Sequence, residues 1–346
     1  MLNFIKSTAL KVIILILIVL GISFVVFFPQ KVRTAWKVTK SFYKVYQGDK
    51  KYRSHDLTGA INYYNEALVL YPQHPKASYN LGNIYAVYED YNSALGAYEH
   101  SLKYNPKYMT ARIALGILLS EKFFDYDRAI KEYQTTIDDA PFYINIPMLY
   151  NNKEYVIYNK STAFYNMGLA YKWKSLLNSE NLLAVRKNLQ QSVEVYKKSI
   201  ELMKNNYNAY FNLALSLQLL GESTEAKAFY CKCIEMRPFD YDAHYNMAVL
   251  LREENNYLDA ILELEKAALI VDSAGDGFKT RYIYDVLSET SKKLYAQQDY
   301  KELIEKLNND PIRRYEPTFV NGKIVASEEL DRAMLENMRT CSYKKE

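Results

Sequence analysis

Few residues in this 346-residue chain could carry covalent or metal chemistry. Four histidines, His55, His74, His100 and His244, are scattered along it, with three cysteines, Cys231, Cys233 and Cys341. No CxxC pair or histidine–cysteine cluster exists, which speaks against a zinc or redox centre. Cys231 and Cys233 lie two apart on a predicted helix and face different sides, so they do not suit a mutual disulfide. An odd cysteine count fits a reducing compartment. GxSxG, HExxH and Gly-rich phosphate loops are absent, and the chain holds only 11 glycines. The reading is a protein that is not an enzyme, with no catalytic residue, metal or cofactor. What does recur is an amide beside an aromatic ring: Tyr79-Asn80, Tyr165-Asn166, Phe211-Asn212 and Tyr245-Asn246. A carboxamide offers two donors and an acceptor, enough to clasp a peptide backbone. A neighbouring ring adds contact area at low entropic cost. Asn83 and Arg252 join this candidate binding set, whereas Ile113-Ala114 interrupts it.

The elements that hold these pairs are legible in Lys76–Pro106. Tyr79, Leu81, Gly82 and Tyr85 fall at helical spacing, Glu89-Asp90-Tyr91 marks a turn, and Ala94, Tyr98, Ser101 and Leu102 form a second stripe that Pro106 ends. Ala94 recurs as Ala60, Ala129, Ser192, Ala226 and Ala260, at successive intervals of 34, 35, 63, 34 and 34 residues from Ala60. Tyr98 recurs in the same register as Tyr64, Tyr133, Tyr196, Tyr230 and Leu264, and Pro106 as Pro72, Pro141 and Pro238. This pattern resembles the tetratricopeptide repeat (TPR) family.

The resemblance implies an all-α TPR superhelical solenoid of about six helix–turn–helix units. Small residues at Gly82, Gly116, Gly168, Ala214 and Ala248 let paired helices approach, and the Tyr98-type rings are expected to fill the space between successive units. The first helices would line a concave groove, with the asparagines as a ladder for an extended peptide, unless asparagine is merely habitual at that position. His244 takes the place of Ser78, a packing position in the family. The Lys/Asn clamp of chaperone-adaptor TPRs is poorly matched: Lys76 and Asn83 fit single places, but Val45, Asp49, Ala114 and Ile117 fill others.

Around the repeats the chain is uneven. Residues 1–11 form a basic N-terminus, and Val12–Phe28 is a charge-free apolar run. With Ala9 and Leu10 it reaches about 30 Å as a helix, enough for one transmembrane anchor. A cleavable signal peptide is the competing reading, but no A-x-A-like site follows. Residues 29–40 read as a basic juxtamembrane helix in which Trp36 suits a lipid interface. Residues 41–275 form the array, with units 41–74, 75–108, 109–143, 161–206, 207–240 and 241–274. The insertion 144–160 lies between units, and 174–187 lengthens unit four. Capping helices are expected at 276–310, near 279–297 and 299–308. A hairpin around Asn321-Gly322 and a helix from Glu328 to Met338 are expected in 311–346. EPTFVNGK is similar to a thioredoxin-like segment, but the CxxC and parallel sheet that fold needs are missing.

Net charge is +4 overall, yet residues 29–56 alone carry eight Lys/Arg against two Asp, and residues 57–346 sum to −4. A mildly acidic repeat body speaks against nucleic acid. Five basic residues follow the apolar run, against two lysines and the amino terminus before it, which orients the repeats to the cytoplasm. The layout is similar to anchored TPR proteins that regulate envelope lipid assembly, without their C-terminal cysteine-based metal module. The functional expectation is a membrane-anchored scaffold or adaptor that binds a protein or extended peptide. The alternative is an envelope-facing assembly chaperone of opposite topology.

Overall fold

The computed structural model describes residues 19, 26–146, 150–177, 180–297, 301, 305, 319–320, 323–324 and 336–341. Most of the expected anchor Val12–Phe28 lies outside them, and no helix among the described residues is long and apolar enough to cross a membrane. The chain divides into two compact units, Met1–Asp125 and Tyr126–Glu346.

The first unit contains α1 (Pro29–Arg53), α2 (Leu57–Leu70), α3 (Pro75–Val87), α4 (Tyr91–Tyr104) and α5 (Met109–Glu121). α1 is one continuous helix through residues 40 and 41. It buries Ser41, Val45 and Gly48, at helical spacing, while Trp36, Phe42, Tyr43 and Tyr46 stay exposed. Asp56 and Asp90 cap α2 and α4 by accepting from Gly59 N–H (2.8 Å) and Ser93 N–H (3.1 Å). His55 and Glu89 precede these caps in the left-handed region, each at φ 60°. This is where the chain reverses within each hairpin. α2 and α4 end two residues before Pro72 and Pro106, which cannot donate the next helical hydrogen bond.

Hairpin spacing is set by a ring lying on a glycine. A Cβ added at Gly48 would stand 2.5 Å from the Tyr64 ring, and one at Gly82 would stand 2.6 Å from Tyr98. The second unit repeats the contact at Gly168, 2.5 Å from Tyr196. Each ring therefore fills space inside its own hairpin, against the glycine of the first helix. This corrects the expectation that the rings fill the gap between successive units. Without a Cβ the helices can close onto the ring, which is buried to 4% exposure or less in all three cases.

The second unit contains α6 (Tyr126–Asp138), β1 (Asn145–Ile146), β2 (Tyr150–Asn151), α7 (Lys153–Leu177), α8 (Leu182–Leu202), α9 (Tyr207–Leu220), α10 (Ser223–Met236), α11 (Tyr241–Glu253), α12 (Tyr257–Ala274) and α13 (Gly277–Tyr295). β1 and β2 pair antiparallel within the first insertion. Asn152 closes that loop, accepting from Ile144 N–H (2.6 Å) and donating to Phe142 O (2.9 Å). Both insertions add to the helices: residues 153–160 of the first and 174–177 of the second bring α7 to 25 residues, and α8 reaches 21, against 14 in α9 and α10. Val193, Tyr196, Leu213, Leu217, Tyr230, Ile234, Met247 and Leu251 form the main core. α13 packs on α12, and Ile283 and Val286 join Ala248, Leu264 and Val271 in a second cluster. Beyond it, β3 (Phe319–Val320) pairs antiparallel with β4 (Lys323–Ile324). The helices expected near 299–308 and from Glu328 lie largely outside the described residues; residues 336–339 are helical.

Residues 336–341 are fastened to the second unit. Met338 is fully buried, Lys266 Nζ donates to Thr340 O (2.7 Å), and Cys341 forms a disulfide with Cys231, with Cα atoms 5.3 Å apart. This bond is not among the expectations from sequence; of the three cysteines only Cys233 is free, and it is buried. His244 is also buried, its Nδ1 2.6 Å from Glu263 Oε2 and its Nε2 2.9 Å from Pro238 O.

The ring-on-glycine contact yields a direct test. Gly82→Ala forces Tyr98 to move and should cost about 1–3 kcal/mol, although alanine is the better helix former. At Gly96 an added Cβ would meet open space, with nothing within 4 Å, so Gly96→Ala should stabilise by up to about 1 kcal/mol. Urea denaturation of both variants measures the contrast; equal gains would contradict the packing account.

Candidate peptide groove

In the first unit the candidate donors are already engaged. Asn80 Nδ2 donates to Asp49 Oδ1 (2.7 Å), Tyr64 OH donates to the same oxygen (2.9 Å), and Lys76 Nζ donates to Asp49 Oδ2 (2.7 Å). Burial first, and then Asp49, push the Tyr64 phenol up. Arg53 and Asn83 complete a cleft of about 180 Å³ around this cluster. Asn83 Oδ1 accepts from Tyr98 OH (2.9 Å), and Tyr79 packs against Tyr98 and Tyr108, with centroids 6.0 and 5.3 Å away. A carboxylate of the chain itself thus occupies the point where three donors converge.

In the second unit the asparagines follow one rule. Asn166, Asn212 and Asn246 each donate from Nδ2 to the carbonyl four residues earlier, Thr162 O (2.9 Å), Asn208 O (2.9 Å) and Asp242 O (2.7 Å). One donor of each amide is therefore spent on its own helix. Asn212 Oδ1 accepts from Lys172 Nζ (2.6 Å), and its Nδ2 also reaches Tyr165 OH (3.4 Å). Nothing among the described residues donates to the oxygens of Asn166 or Asn246, which keeps them available as acceptors. Tyr165 packs on Tyr196 at 5.9 Å, and Phe211 meets Tyr230 edge-on at 5.8 Å.

The last predicted positions are covered. Tyr245 OH lies 2.9 Å from Tyr282 OH, and Arg252 Nη2 pairs with Glu289 Oε2 at 3.2 Å. Both partners belong to α13. Burial first, then the Tyr282 hydrogen bond, pushes the Tyr245 phenol up to about 12.

The open part of this face is a cleft of about 360 Å³ whose lining includes Tyr158, Thr162, Tyr165, Asn166, Asn208 and Arg237. The repeat register marks Tyr165 and Asn166; it does not mark Tyr158, Asn208 or Arg237. Arg237 is the C-cap of α10, and its guanidinium lies over the Tyr207 ring at 4.1 Å. The missed residues sit at helix ends and in an insertion, where the register says nothing about direction. Asn205-Asn206-Tyr207-Asn208 is a visible amide cluster that could have pointed to them.

Lys172 lies seven residues beyond Tyr165 on α7, only 7% exposed, with no carboxylate against it among the described residues. Burial pushes its ammonium down to about 8. The folded value lies below that of the unfolded chain, so the penalty is full below pH 8 and fades as pH rises through the interval up to about 10.4. The parent should therefore gain about 1–3 kcal/mol of stability relative to Lys172→Met between pH 8 and pH 10. Denaturation midpoints of the two proteins across that range check the slope; parallel curves would refute it.

Two segments match the tetratricopeptide repeat family, residues 47–87 and 207–240. Those two segments carry tetratricopeptide repeats. The chain is similar to BBSome complex member BBS4 of Bos taurus, 26% identical over 219 residues; the match takes in 61% of this chain and 41% of that protein, less than half its length. Among solved structures it is similar to pilF of Pseudomonas aeruginosa (15% identity, TM-score 0.48, covering 78% of this chain and 99% of that one). YrrB, described as a TPR protein with an unusual peptide-binding site, gives 18% identity and a TM-score of 0.46, covering 64% of this chain and 97% of that one.

Proposed function

We propose that this repeat protein is a membrane-tethered scaffold that holds an extended segment of a partner protein in the cleft of its second unit. The observation that carries the reading is the lining of that cleft: tyrosines beside amides with unspent acceptors, and one exposed arginine. Rings supply area without much loss of rotamer freedom, and amide oxygens can accept from a peptide backbone. The first unit is the weaker candidate, because Asp49 already engages Asn80, Lys76 and Tyr64 there. The tether is the charge-free run Val12–Phe28.

Of the two topologies, the disulfide favours repeats that face the cell envelope. Cys231 and Cys341 are 110 residues apart, and their bond locks the C-terminal segment to α10. Such structural bonds persist in oxidising compartments and are rare in the cytosol. The excess of basic residues after the apolar run argues the other way, so the two signals must be separated by experiment.

Asn166 and Asn208 are the sites to alter. Asn212 is unsuitable, because losing it strands Lys172. Asn166→Ala with Asn208→Ala should weaken capture of a partner segment by roughly tenfold, as about 1 kcal/mol is lost per hydrogen bond, while the melting temperature holds. Undiminished capture by the double variant would remove the cleft from the binding surface. For topology, an impermeant maleimide applied to intact cells should label nothing before a mild reductant is added, and Cys231 and Cys341 afterwards. Cys233, whose thiol burial pushes up to about 12, should stay unlabelled in the folded protein. Labelling that requires permeabilisation would place the repeats in the cytoplasm.

A further inference from the structure

We infer that the cleft of the second unit selects acidic segments, binding a partner's aspartate or glutamate carboxylate at Arg237. The inference rests on the peptide-binding reading above and adds the chemistry of the ligand.

Charge without a counter-charge is the first observation. Arg237 lines the cleft and is exposed, and no carboxylate pairs with its guanidinium among the described residues. Its nearby acid, Asp240, caps the start of α11, with Oδ1 accepting from Asp242 N–H (3.1 Å), and also acts on the Tyr207 phenol, without forming an ion pair with the guanidinium. The guanidinium is not loose, however. It is stacked 4.1 Å over Tyr207, a ring only 6% exposed, and its backbone N–H is fixed to Cys233 O at 2.8 Å. A stacked guanidinium keeps its planar edge of N–H groups for a ligand, the geometry that pairs with a carboxylate through two parallel hydrogen bonds.

The second observation is independent and lies on α7. Lys172 is more than nine-tenths buried, yet its ammonium rests on a neutral amide, Asn212 Oδ1, instead of an acid. A buried cation without an anion is costly. It is joined to the cleft through Asn212, whose amide also reaches the cleft residue Tyr165. A bound carboxylate nearby would offset part of that cost. Both cations stand in a repeat body whose overall charge is negative, so the positive spot is a local feature.

The ligand class follows. A basic segment meets the Arg237 guanidinium, with the buried Lys172 behind the lining, and a neutral one leaves Arg237 unpaired. An acidic segment pairs with Arg237 while its backbone lies along Asn166 and Asn208. This is not the clamp that the sequence disfavours, which draws lysines and asparagines from first helices alone; here the key cation caps the end of a second helix.

The test uses the full chain in detergent and three fluorescent pools of random extended peptides. The pools differ only at two central positions, fixed as Asp/Glu, Asn/Gln or Lys/Arg. Anisotropy should show the acidic pool binding roughly tenfold or more tighter than its amide counterpart, with the basic pool weakest. Arg237→Gln, on the surface, should bring the acidic pool to the level of the amide pool. Lys172→Met should reduce the preference less. Equal binding of the acidic and amide pools, or a preference that survives Arg237→Gln, would overturn the inference and leave the peptide-binding reading intact. Binding of none of the pools would overturn both.

Discussion

The structure depends on one close contact, a tyrosine ring laid on a glycine across three of its helical hairpins. Gly48 with Tyr64, Gly82 with Tyr98 and Gly168 with Tyr196 repeat it. A side chain on the first helix would push the ring out, so the missing Cβ sets how near the two helices stand. In the first unit the ring's hydroxyl then falls at the edge of the hairpin, where polar partners meet it: Asp49 for Tyr64 and Asn83 for Tyr98. Packing and groove chemistry are linked through that one residue. Close-packed interiors transmit such constraints because they hold few voids to absorb a displacement.

Inside that frame the two units differ in what they offer a ligand. In the first, Asp49 gathers Asn80, Lys76 and Tyr64 around its own carboxylate. In the second, α13 covers Tyr245 and Arg252. What stays open is the ground between α7, α9 and the end of α10. The long insertion helices contribute to it, since Tyr158 belongs to the added turns of α7. Elsewhere this unit carries the fastened C-terminal segment, with Met338, the Lys266–Thr340 bond and the disulfide.

Much of the fold is legible in the sequence because a repeat shows itself by spacing. Ala60, Ala94, Ala226 and Ala260 and the rings in register with them report the second helix of each hairpin without any knowledge of contacts. Gly48 is equally readable, 34 residues before Gly82, but the surrounding Gln47 and Lys51 make that helix look degenerate. Those polar residues lie beside the buried stripe of Ser41, Val45 and Gly48, not within it. The candidate site is only half legible. The asparagines can be found by register, but not that each turns an N–H elsewhere in its own unit. Arg237 and Lys172 gain their meaning from burial, stacking and the lack of an acid, which no spacing reports. The Cys231–Cys341 pair is hidden for the same reason, since 110 residues separate its halves.

The central claim is that an extended peptide lies in the cleft of the second unit. Site-specific photo-crosslinking in native membranes tests it most directly. A photoreactive residue replaces Asn208 in the cleft in one protein, and Lys232, exposed on α10 and outside the cleft lining, in another. The account predicts a discrete partner adduct from position 208, mapping to one continuous peptide segment, and none from position 232. Adducts from position 232 with none from position 208 would contradict it.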